Sequence, residues 1–269
     1  MNPEKTFSLA FSPCPNDTFL FHAMLHGLID TKGYKFEYDF LDIEELNKNA
    51  FLEKYDITKI SFSALGKLLD KYSLLKSGAA LGRNCGPLLV CKTPELPKVP
   101  KDLKIAIPGA NTTANMLLTM MWPEAVNKNS VLFSEIEDEV AKGNFDAGLI
   151  IHENRFTYKL KGLHKIVDLG EWWEQTTNLP IPLGAIAIKK SFNENTKSDI
   201  EEVIRKSIEY AFQNPDSCMD FVMKHAAAMN KDVALQHIKL YVNDYSLNLS
   251  NDGEKAVETF FQKIQSLKP

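Results

Sequence analysis

The feature that most constrains this chain is an alternation of short apolar runs with amphipathic stretches, interrupted twice by proline-rich segments. Such alternation predicts strands and helices in turn, which is typical of an α/β fold. The segment CKTPELPKVPKDL covers residues 91–103, NLPIPLG covers residues 178–184, and each is predicted to be a crossing between lobes. The predicted strands are Phe7–Ser12, Lys35–Leu41, Asp56–Ser61, Pro87–Cys91, Lys104–Pro108, Val131–Phe133, Asp146–His152 and Leu183–Lys189.

Two crossings predict two α/β lobes that share a cleft. We expect the first lobe to comprise residues 1–93 and 182–269, and the second to comprise residues 94–181. After Ser198 the sequence is strongly helical. Helices are predicted there over residues 200–212, 216–229, 231–242 and 253–267. Clefts between lobes usually bind small molecules, although the same architecture serves binding proteins that do no chemistry.

Charge and hydropathy exclude several classes of partner. The chain has 269 residues, with 31 Lys and Arg against 35 Asp and Glu, and a net charge of −4. This balance gives no long-range attraction to phosphate backbones, so we expect no nucleic acid partner. No apolar run approaches the roughly 20 residues of a membrane span, and the first run is too short for a signal peptide. We therefore expect a cytoplasmic protein with no membrane contact.

The cysteines and one histidine pair give no strong metal signal. The cysteines are Cys14, Cys85, Cys91 and Cys218. They form no C-x-x-C pair and have no histidine at zinc-finger spacing, which favours buried, reduced thiols. Cys14 stands at a predicted helix start, where it is either a nucleophile or part of a rigid turn. His22 and His26 lie one helical turn apart, as metal ligands or as a packed pair, and their apolar neighbours favour packing.

The stretch SPCPNDTF, residues 12–19, predicts a stiff turn between a strand and a helix. Its prolines restrict φ, and Asn16 or Asp17 is suited to cap a helix that begins near Thr18. A helix start beside the strand ends offers free N–H groups to an anion, which makes Asn16 and Asp17 candidate substrate-binding residues. The alternative is a well-capped helix without a ligand.

Two further junctions between a strand and a helix carry hydroxyl groups. In DITKISFSALGKLL, Ser61 and Ser63 either bind a ligand or cap the next helix, and the missing glycines of G-x-S-x-G argue against an acyl-enzyme. In IPGANTTANMLLTMMW, Thr112 and Thr113 open an apolar helix that offers a seat for a carboxylate or phosphate. The glycine pattern is not that of a P-loop or a dinucleotide fold, so no nucleotide cofactor is predicted.

The stretch GNFDAGLIIHENRFTY ends a very apolar strand in His152. A histidine at that position projects into the cleft, where it is either a proton-transfer group or a structural hydrogen-bonding residue. Glu153 follows, but H-E-N-R-F lacks the second histidine of the H-E-x-x-H zinc motif. Trp172 and Trp173 either stack on a planar ligand or pack at the hinge.

Taken in order, six stretches resemble the 1,4-dihydroxy-6-naphthoate synthase family of the futalosine route to menaquinone. They are SPCPNDTF, DITKISFSAL, SGAALGRNCGPLLV, IPGANTTA, DAGLIIHENRFTY and GEWWEQTTNLPIPLG. The resemblance runs from about Phe7 to Lys189, and the helical remainder is compatible with it. Each motif is weak by itself, whereas six in order are specific. The opening of the sister family, chorismate dehydratase, is absent.

The resemblance implies an α/β, two-lobed periplasmic-binding-protein-like (type II) fold with a central ligand cleft and a helical C-terminal region. It implies a carbon–carbon lyase that converts cyclic dehypoxanthine futalosine, a carboxylate-bearing bicycle, to 1,4-dihydroxy-6-naphthoate with no cofactor and no metal. The family's proton-accepting histidine falls on His152. Its substrate-binding positions fall on Lys59, Ile60, Ser61, Thr112 and Thr113.

Two alternatives to this function stay open. One is a protein that closes on a small aromatic carboxylate without reaction, which the expected absence of an export signal disfavours, since extracellular capture needs export. The other is the sister chorismate dehydratase, which would turn over chorismate and ignore the futalosine derivative.

Overall fold

The computed structural model describes residues 5–226 and 230–267. The strands are β1 (Thr6–Phe11), β2 (Lys35–Phe40), β3 (Ile57–Ser61), β4 (Tyr72–Gly82), β5 (Leu88–Cys91), β6 (Ile105–Ile107), β7 (Lys128–Ser130), β8 (Ala147–Ile150), β9 (His164–Asp168) and β10 (Ile181–Lys189). The helices are α1 (Pro15–Leu25), α2 (Ile43–Phe51), α3 (Phe62–Leu65), α4 (Thr113–Met121), α5 (Ile136–Lys142), α6 (Asn154–Thr157), α7 (Leu169–Thr177), α8 (Glu194–Gln213), α9 (Pro215–His225), α10 (Lys231–Tyr241), α11 (Asp244–Leu247) and α12 (Ser250–Ser266).

The strands form two five-stranded sheets with the same topology. In the first sheet, ordered β2-β1-β3-β10-β4, β1 is parallel to both its neighbours and β10 is antiparallel to both of its own. In the second sheet, ordered β7-β6-β8-β5-β9, β6 is parallel to both its neighbours and β5 is antiparallel to both of its own. The antiparallel strand in the fourth position, β10 in the first sheet and β5 in the second, is the first strand that the chain forms after it arrives from the other sheet. The two mixed sheets with their helices confirm the predicted α/β class.

The chain crosses between the sheets at two points. Because β5 pairs with β8 and β9, the first crossing is at residues 83–87, before the proline-rich segment 91–103. That segment connects two strands of the second sheet. The second crossing, residues 178–180, falls within the predicted proline-rich segment. We therefore propose that the lobes divide between β4 and β5 rather than at residue 93.

One predicted strand is wrong. The prediction put it at Val131–Phe133, whereas β7 precedes these residues and Phe133 begins a short 3-10 helix. β7, KNS, is polar because it is an edge strand that faces solvent on one side, so the apolar residues after it gave the stronger signal.

Two strands were absent from the prediction, β4 and β9. β4, YSLLKSGAALG, contains Ser77 and Gly78, which are typical of turns. Gly78 has φ of 88°, and a Cβ there would lie 2.0 Å from the Ile186 side chain, so glycine is required by a close approach of β10. β9 is an edge strand that starts with the exposed polar residues His164 and Lys165.

The tryptophan pair packs at the second crossing. Trp173 is fully buried, its Nε1 donates to the carbonyl of Pro180 at 3.0 Å, and its ring contacts Phe260 with centroids 5.6 Å apart. Trp172 packs at the edge of the same core cluster. Of the two predicted roles, packing beside the crossing is the one that the contacts show.

The C-terminal helices pack on the first sheet and on α1. The helix predicted over residues 216–229 corresponds to α9, and residues 227–229 lie outside the described residues. α10 contacts α1, α9 and β4, which brings its buried face behind the cleft. Within residues 5–226 and 230–267, every helix is too short or too polar to cross a membrane.

Candidate active site

A cavity lies between the two sheets and is bordered by the first turns of α1 and α4. Its walls include Ser12, Asn16, Asp17, Lys59, Ser61, Cys85, Thr112, Thr113, His152 and Tyr241. The structure thus brings together every predicted site residue except Ile60.

Asp17 organises the wall that belongs to the first lobe. Its Oδ2 accepts hydrogen bonds from the hydroxyl and the N–H of Ser12, at 2.7 and 3.3 Å. Its Oδ1 accepts from the amide of Asn16 at 2.7 Å and lies 2.8 Å from Nζ of Lys59. The side chains of Asp17 and Lys59 are 2% and 5% exposed, so this is a buried ion pair at the edge of the cavity.

The turn before α1 differs from the prediction. The helix begins at Pro15 with Cys14 as its N-cap, and Asp17 lies in the first turn. The expectation that Asn16 or Asp17 caps a helix beginning near Thr18 is therefore wrong. Proline already has the φ of a first helical residue, so the helix starts earlier, and the Asp17 carboxylate is free to pair with a side chain from β3.

β3 presents alternate residues to the cavity, as a strand must. Lys59 and Ser61 line the cavity, whereas the Ile60 side chain is fully buried in the core. Oγ of Ser61 accepts a hydrogen bond from Nδ2 of Asn47 at 3.0 Å, which leaves the hydroxyl proton of Ser61 for a ligand. The structure does not bring the Ile60 side chain to the site.

The start of α4 forms the opposing wall. Thr112 is the N-cap: its Oγ1 accepts from the N–H of Asn115 at 3.2 Å and donates to the carbonyl of Gly109 at 2.8 Å. Oγ1 of Thr113 donates to the carbonyl of Leu183 at 2.7 Å, in the first lobe. Both hydroxyls thus have protein partners. The N–H groups of Thr113 and Ala114 have none among the described residues, so they are the donors that α4 offers to an anion.

A carboxylate from the first lobe contacts the second lobe beside the start of α4 and so connects the two lobes. Oε2 of Glu44, in α2, accepts from the N–H of Asn111 at 3.1 Å, and Oε1 accepts from Nδ2 of Asn111 at 2.9 Å. Gly109 has φ of 154°, and a Cβ there would lie 2.4 Å from Glu44. The glycine of the Pro-Gly turn therefore makes room for a contact that closes the cleft.

His152 lies two residues beyond the end of β8, not inside the strand as predicted. Its φ is 55°, a left-handed conformation that turns the side chain out of the sheet toward the cavity. Its ring meets the edge of Phe133 at 5.0 Å and stacks on His237, with centroids 5.8 Å apart and planes 8° apart. Burial, with a smaller contribution from the Lys59 charge, lowers the pKa of His152 to about 4, against the opposing effect of Asp17. The imidazole is therefore neutral at pH 7 and able to accept a proton.

The loop after His152 is anchored by Arg155. Its guanidinium donates to Oδ2 of Asp168 at 2.7 Å and to the carbonyl of Gly86, which lies in the first crossing. The loop that contains His152 is thus tied to the segment that joins the lobes.

Two residues of α10, one in the cavity wall and one behind it, were missed by the sequence reasoning. His237 is fully buried with Nε2 2.9 Å from Oδ1 of Asn16, and Tyr241 lines the cavity one turn later. Burial raises the pKa of the Tyr241 phenol, so it remains a hydrogen-bond donor. The available signal was their spacing of four on the apolar face of KDVALQHIKLYV, where polar side chains are unusual.

The other chemical candidates lie outside the cavity. The rings of His22 and His26 pack 4.4 Å apart beside Phe221. No group of three or more His, Cys, Asp or Glu in the described part of the chain is arranged to hold a metal ion. Burial raises the pKa of the Cys14 thiol well above its usual range, with Glu153 adding to the effect, which opposes a nucleophilic role.

The sequence matches the family described as "Menaquinone biosynthesis" over residues 7–266. A 1,4-dihydroxy-6-naphthoate synthase of Thermus thermophilus is 40% identical over 258 residues, which cover 96% of this chain and 93% of that protein. A 1,4-dihydroxy-6-naphthoate synthase of Streptomyces coelicolor is 41% identical over 261 residues, which cover 94% and 90%.

Solved structures give the same answer for the fold. Protein AF1704 from Archaeoglobus fulgidus is 34% identical with a TM-score of 0.91, covering 99% of this chain and 98% of that one. The Candida albicans CA3427 gene product, described as having the generic periplasmic binding protein structural fold, has a TM-score of 0.71 at 13% identity, covering 98% and 91%. The second likeness concerns the fold alone, and it confirms the periplasmic-binding-protein-like prediction. With matches that span nearly its whole length, this chain belongs to the menaquinone biosynthesis family.

Proposed function

We propose that this chain is a carbon–carbon lyase that converts cyclic dehypoxanthine futalosine to 1,4-dihydroxy-6-naphthoate in the cytoplasm. Family membership and two relatives named 1,4-dihydroxy-6-naphthoate synthase support the reaction. The observation that carries the proposal is a neutral imidazole, His152, on the same cavity as a helix start with unpaired N–H groups.

The substrate carboxylate binds at the start of α4. The N–H groups of Thr113 and Ala114 donate to it, and the positive end of the helix dipole favours the negative charge. The free hydroxyl proton of Ser61 faces the same cavity from β3 and supplies a third donor. Lys59 adds positive charge, although Asp17 balances most of it.

His152 removes a proton from the substrate and holds it on its ring. The carbon–carbon bond to the sugar-derived part then breaks, and that part leaves with a new carbonyl group formed from the electrons of the O–H bond. The electron pair of the broken bond completes the new aromatic ring, and His152 returns its proton to a ring oxygen. Aromatisation supplies the driving force, so the step needs no redox cofactor. A positioned general base contributes on the order of 10²–10⁴ in rate. The contact of Glu44 with Asn111 keeps the lobes closed and limits the access of water to the reactive intermediate.

The test compares wild type with His152→Asn on cyclic dehypoxanthine futalosine, with dihydroxynaphthoate followed by mass spectrometry. Asparagine is chosen because it tolerates the left-handed backbone of residue 152, so the fold is preserved. We expect kcat to fall by about 10²–10⁴ with KM nearly unchanged. His164→Asn, at an exposed position of β9, is the matched control and should keep wild-type kcat.

Each other outcome has a distinct meaning. Wild-type kcat in His152→Asn would remove His152 as the base. Thermal stabilisation of the wild type by the substrate without product would indicate a binding protein. Turnover of chorismate in place of the futalosine derivative would indicate the dehydratase.

A further inference from the structure

We propose that His237 and Glu153 share one proton across the closed cleft and thereby position His152 for proton transfer, an inference that rests on the proposed role of His152. Glu153 follows the base in the second lobe, and His237 comes from α10, which packs on the first lobe. Neither residue lines the cavity itself, so both are positioning residues.

Two buried polar atoms face each other at this point. Nδ1 of His237 lies 3.9 Å from Oε2 of Glu153, and neither atom has another hydrogen-bond partner among the described residues. His237 is completely buried. Buried polar groups in proteins are nearly always paired, so two unpaired atoms that face each other point to a hydrogen bond that a small further closure completes.

The neighbouring hydrogen bonds define where the proton lies. Both oxygens of Asp17 already accept, from Ser12 and from Lys59, so Asn16 must turn its NH₂ group toward Asp17. Its amide oxygen therefore faces His237, and Nε2 of His237 must carry the hydrogen of that 2.9 Å bond. In a neutral imidazole Nδ1 is then an acceptor, which only a protonated Glu153 can satisfy.

The electrostatic surroundings agree with this assignment. Burial raises the pKa of Glu153, and the nearby Glu137 adds to the shift. Burial lowers the pKa of His237 well below its usual value, and the charge of Lys59 and that of His152, when it is protonated, act in the same direction. The ionisable groups that face the pair are Glu137, Cys14 and Tyr241 around Glu153, and His152, Lys59 and Tyr241 around His237. A neutral acid beside a neutral imidazole is the favoured state.

This state suits a base that becomes positively charged. The ring of His152 is nearly parallel to that of His237, with centroids 5.8 Å apart, so a charged His237 would repel the imidazolium that forms when His152 takes the substrate proton. With its proton on Glu153, His237 instead presents a neutral ring that fixes the plane of His152. Because Glu153 and His237 come from different lobes, this arrangement is completed only when the cleft is closed.

The kinetic test uses graded variants at both positions. We expect Glu153→Leu and His237→Phe to lower kcat by about 10–100-fold with a smaller change in KM, since a misoriented base loses part of the general-base contribution. Phenylalanine keeps the stacked ring but cannot bond to Asn16 or Glu153. Glu153→Gln keeps a donor toward Nδ1 and should restore most of the lost kcat. Glu137→Gln, at a neighbouring buried glutamate bonded to Thr157, is the matched control.

Two readouts report the proton itself. The infrared difference spectrum of wild type minus Glu153→Gln near neutral pH should contain the carbonyl stretch of a protonated carboxylic acid. In wild type, kcat should fall as Glu153 loses its proton on the alkaline side, and Glu153→Gln should retain kcat to higher pH.

The outcomes separate this inference from the proposed function. Product formed at wild-type kcat by Glu153→Leu and His237→Phe would overturn the positioning role and leave the reaction intact. The shared proton would be overturned if the infrared difference spectrum contained only the bands of an ionised carboxylate and if kcat fell at the same alkaline pH in Glu153→Gln as in wild type. Absence of product from wild type would count against the reaction, while the infrared spectrum would still decide the protonation of Glu153.

Discussion

The two lobes build the same junction and use it differently. In each sheet, three parallel strands are followed by a strand that is antiparallel to both its neighbours. In each lobe a helix starts at the cavity, α1 in the first lobe and α4 in the second. The first turn of α1 contains an acidic residue, Asp17, paired with Lys59. The first turn of α4 contains no acidic residue, and its first N–H groups are unpaired among the described residues. In the first lobe the anion is the Asp17 carboxylate, and in the second lobe we propose that the substrate carboxylate binds at the corresponding position.

The difference shows why topology alone does not define a ligand site. A helix start attracts negative charge wherever it is built. In the first lobe, the buried Asp17 and Lys59 satisfy each other and give the cavity a rigid wall. In the second lobe, Thr112 and Thr113 use their hydroxyls to cap the helix and bridge the lobes, which leaves the backbone donors open.

Breaking the ion pair of the first lobe should have the largest effect. Asp17→Leu leaves the buried Lys59 without its partner, and we expect the free energy of unfolding to fall by about 3–5 kcal/mol. Urea denaturation at neutral pH measures the change. The double variant Asp17→Leu, Lys59→Met removes both charges and should recover most of the loss. A double variant no more stable than Asp17→Leu would mean that the pair is not the structural element of this wall.

A carboxylate introduced at the start of α4 should occupy the position where we propose that the substrate carboxylate binds. Ala114→Asp places a carboxylate in the first turn of α4, where it lines the cavity and competes with the substrate carboxylate. We expect KM to rise roughly 10–100-fold, or about 1.4–2.7 kcal/mol of lost binding, with some loss of stability because residue 114 is buried. Ala114→Ser is the uncharged control. An unchanged KM in Ala114→Asp would show that the substrate carboxylate binds elsewhere.

The last expected effect is a pH dependence of stability that involves His152. The pKa of His152 is about 4 in the folded protein and about 6.5 when unfolded, so between these values the unfolded chain binds more protons. The contribution of His152 to the free energy of unfolding therefore falls as pH decreases from about 6.5 to about 4. The raised pKa values of Glu137 and Glu153 act in the opposite direction, so the comparison is between wild type and His152→Asn at each pH. We expect the free energy of unfolding to fall less steeply with decreasing pH in His152→Asn than in wild type. Parallel curves of the two proteins would contradict the lowered pKa of His152.

Much of the site could be predicted because strand ends and helix starts have local signals. Apolar runs followed by Pro-Cys-Pro-Asn-Asp, Ser-Phe-Ser, Pro-Gly-Ala-Asn-Thr-Thr and His-Glu predicted that Asp17, Ser61, Thr112 and His152 lie near one another. The role of each group could not be predicted in the same way. The hydroxyl of Thr113 is occupied by the carbonyl of Leu183, a contact between residues far apart in the chain. His237 and Tyr241 were missed because their spacing on an apolar helix face does not indicate which distant residues they contact.

The sequence by itself determined the alternation of strands and helices, the turns that stop and start them, and the motifs of a family. These features depend on residues within one or two turns of each other, where periodicity, proline geometry and capping act. Only the tertiary structure decided that β5 joins the second sheet and β10 the first. It also decided that Lys59 pairs with Asp17 at the start of α1 and that His237 lies behind His152. Burial and charge pairing depend on contacts between distant segments, and those contacts exist only once the lobes have folded together.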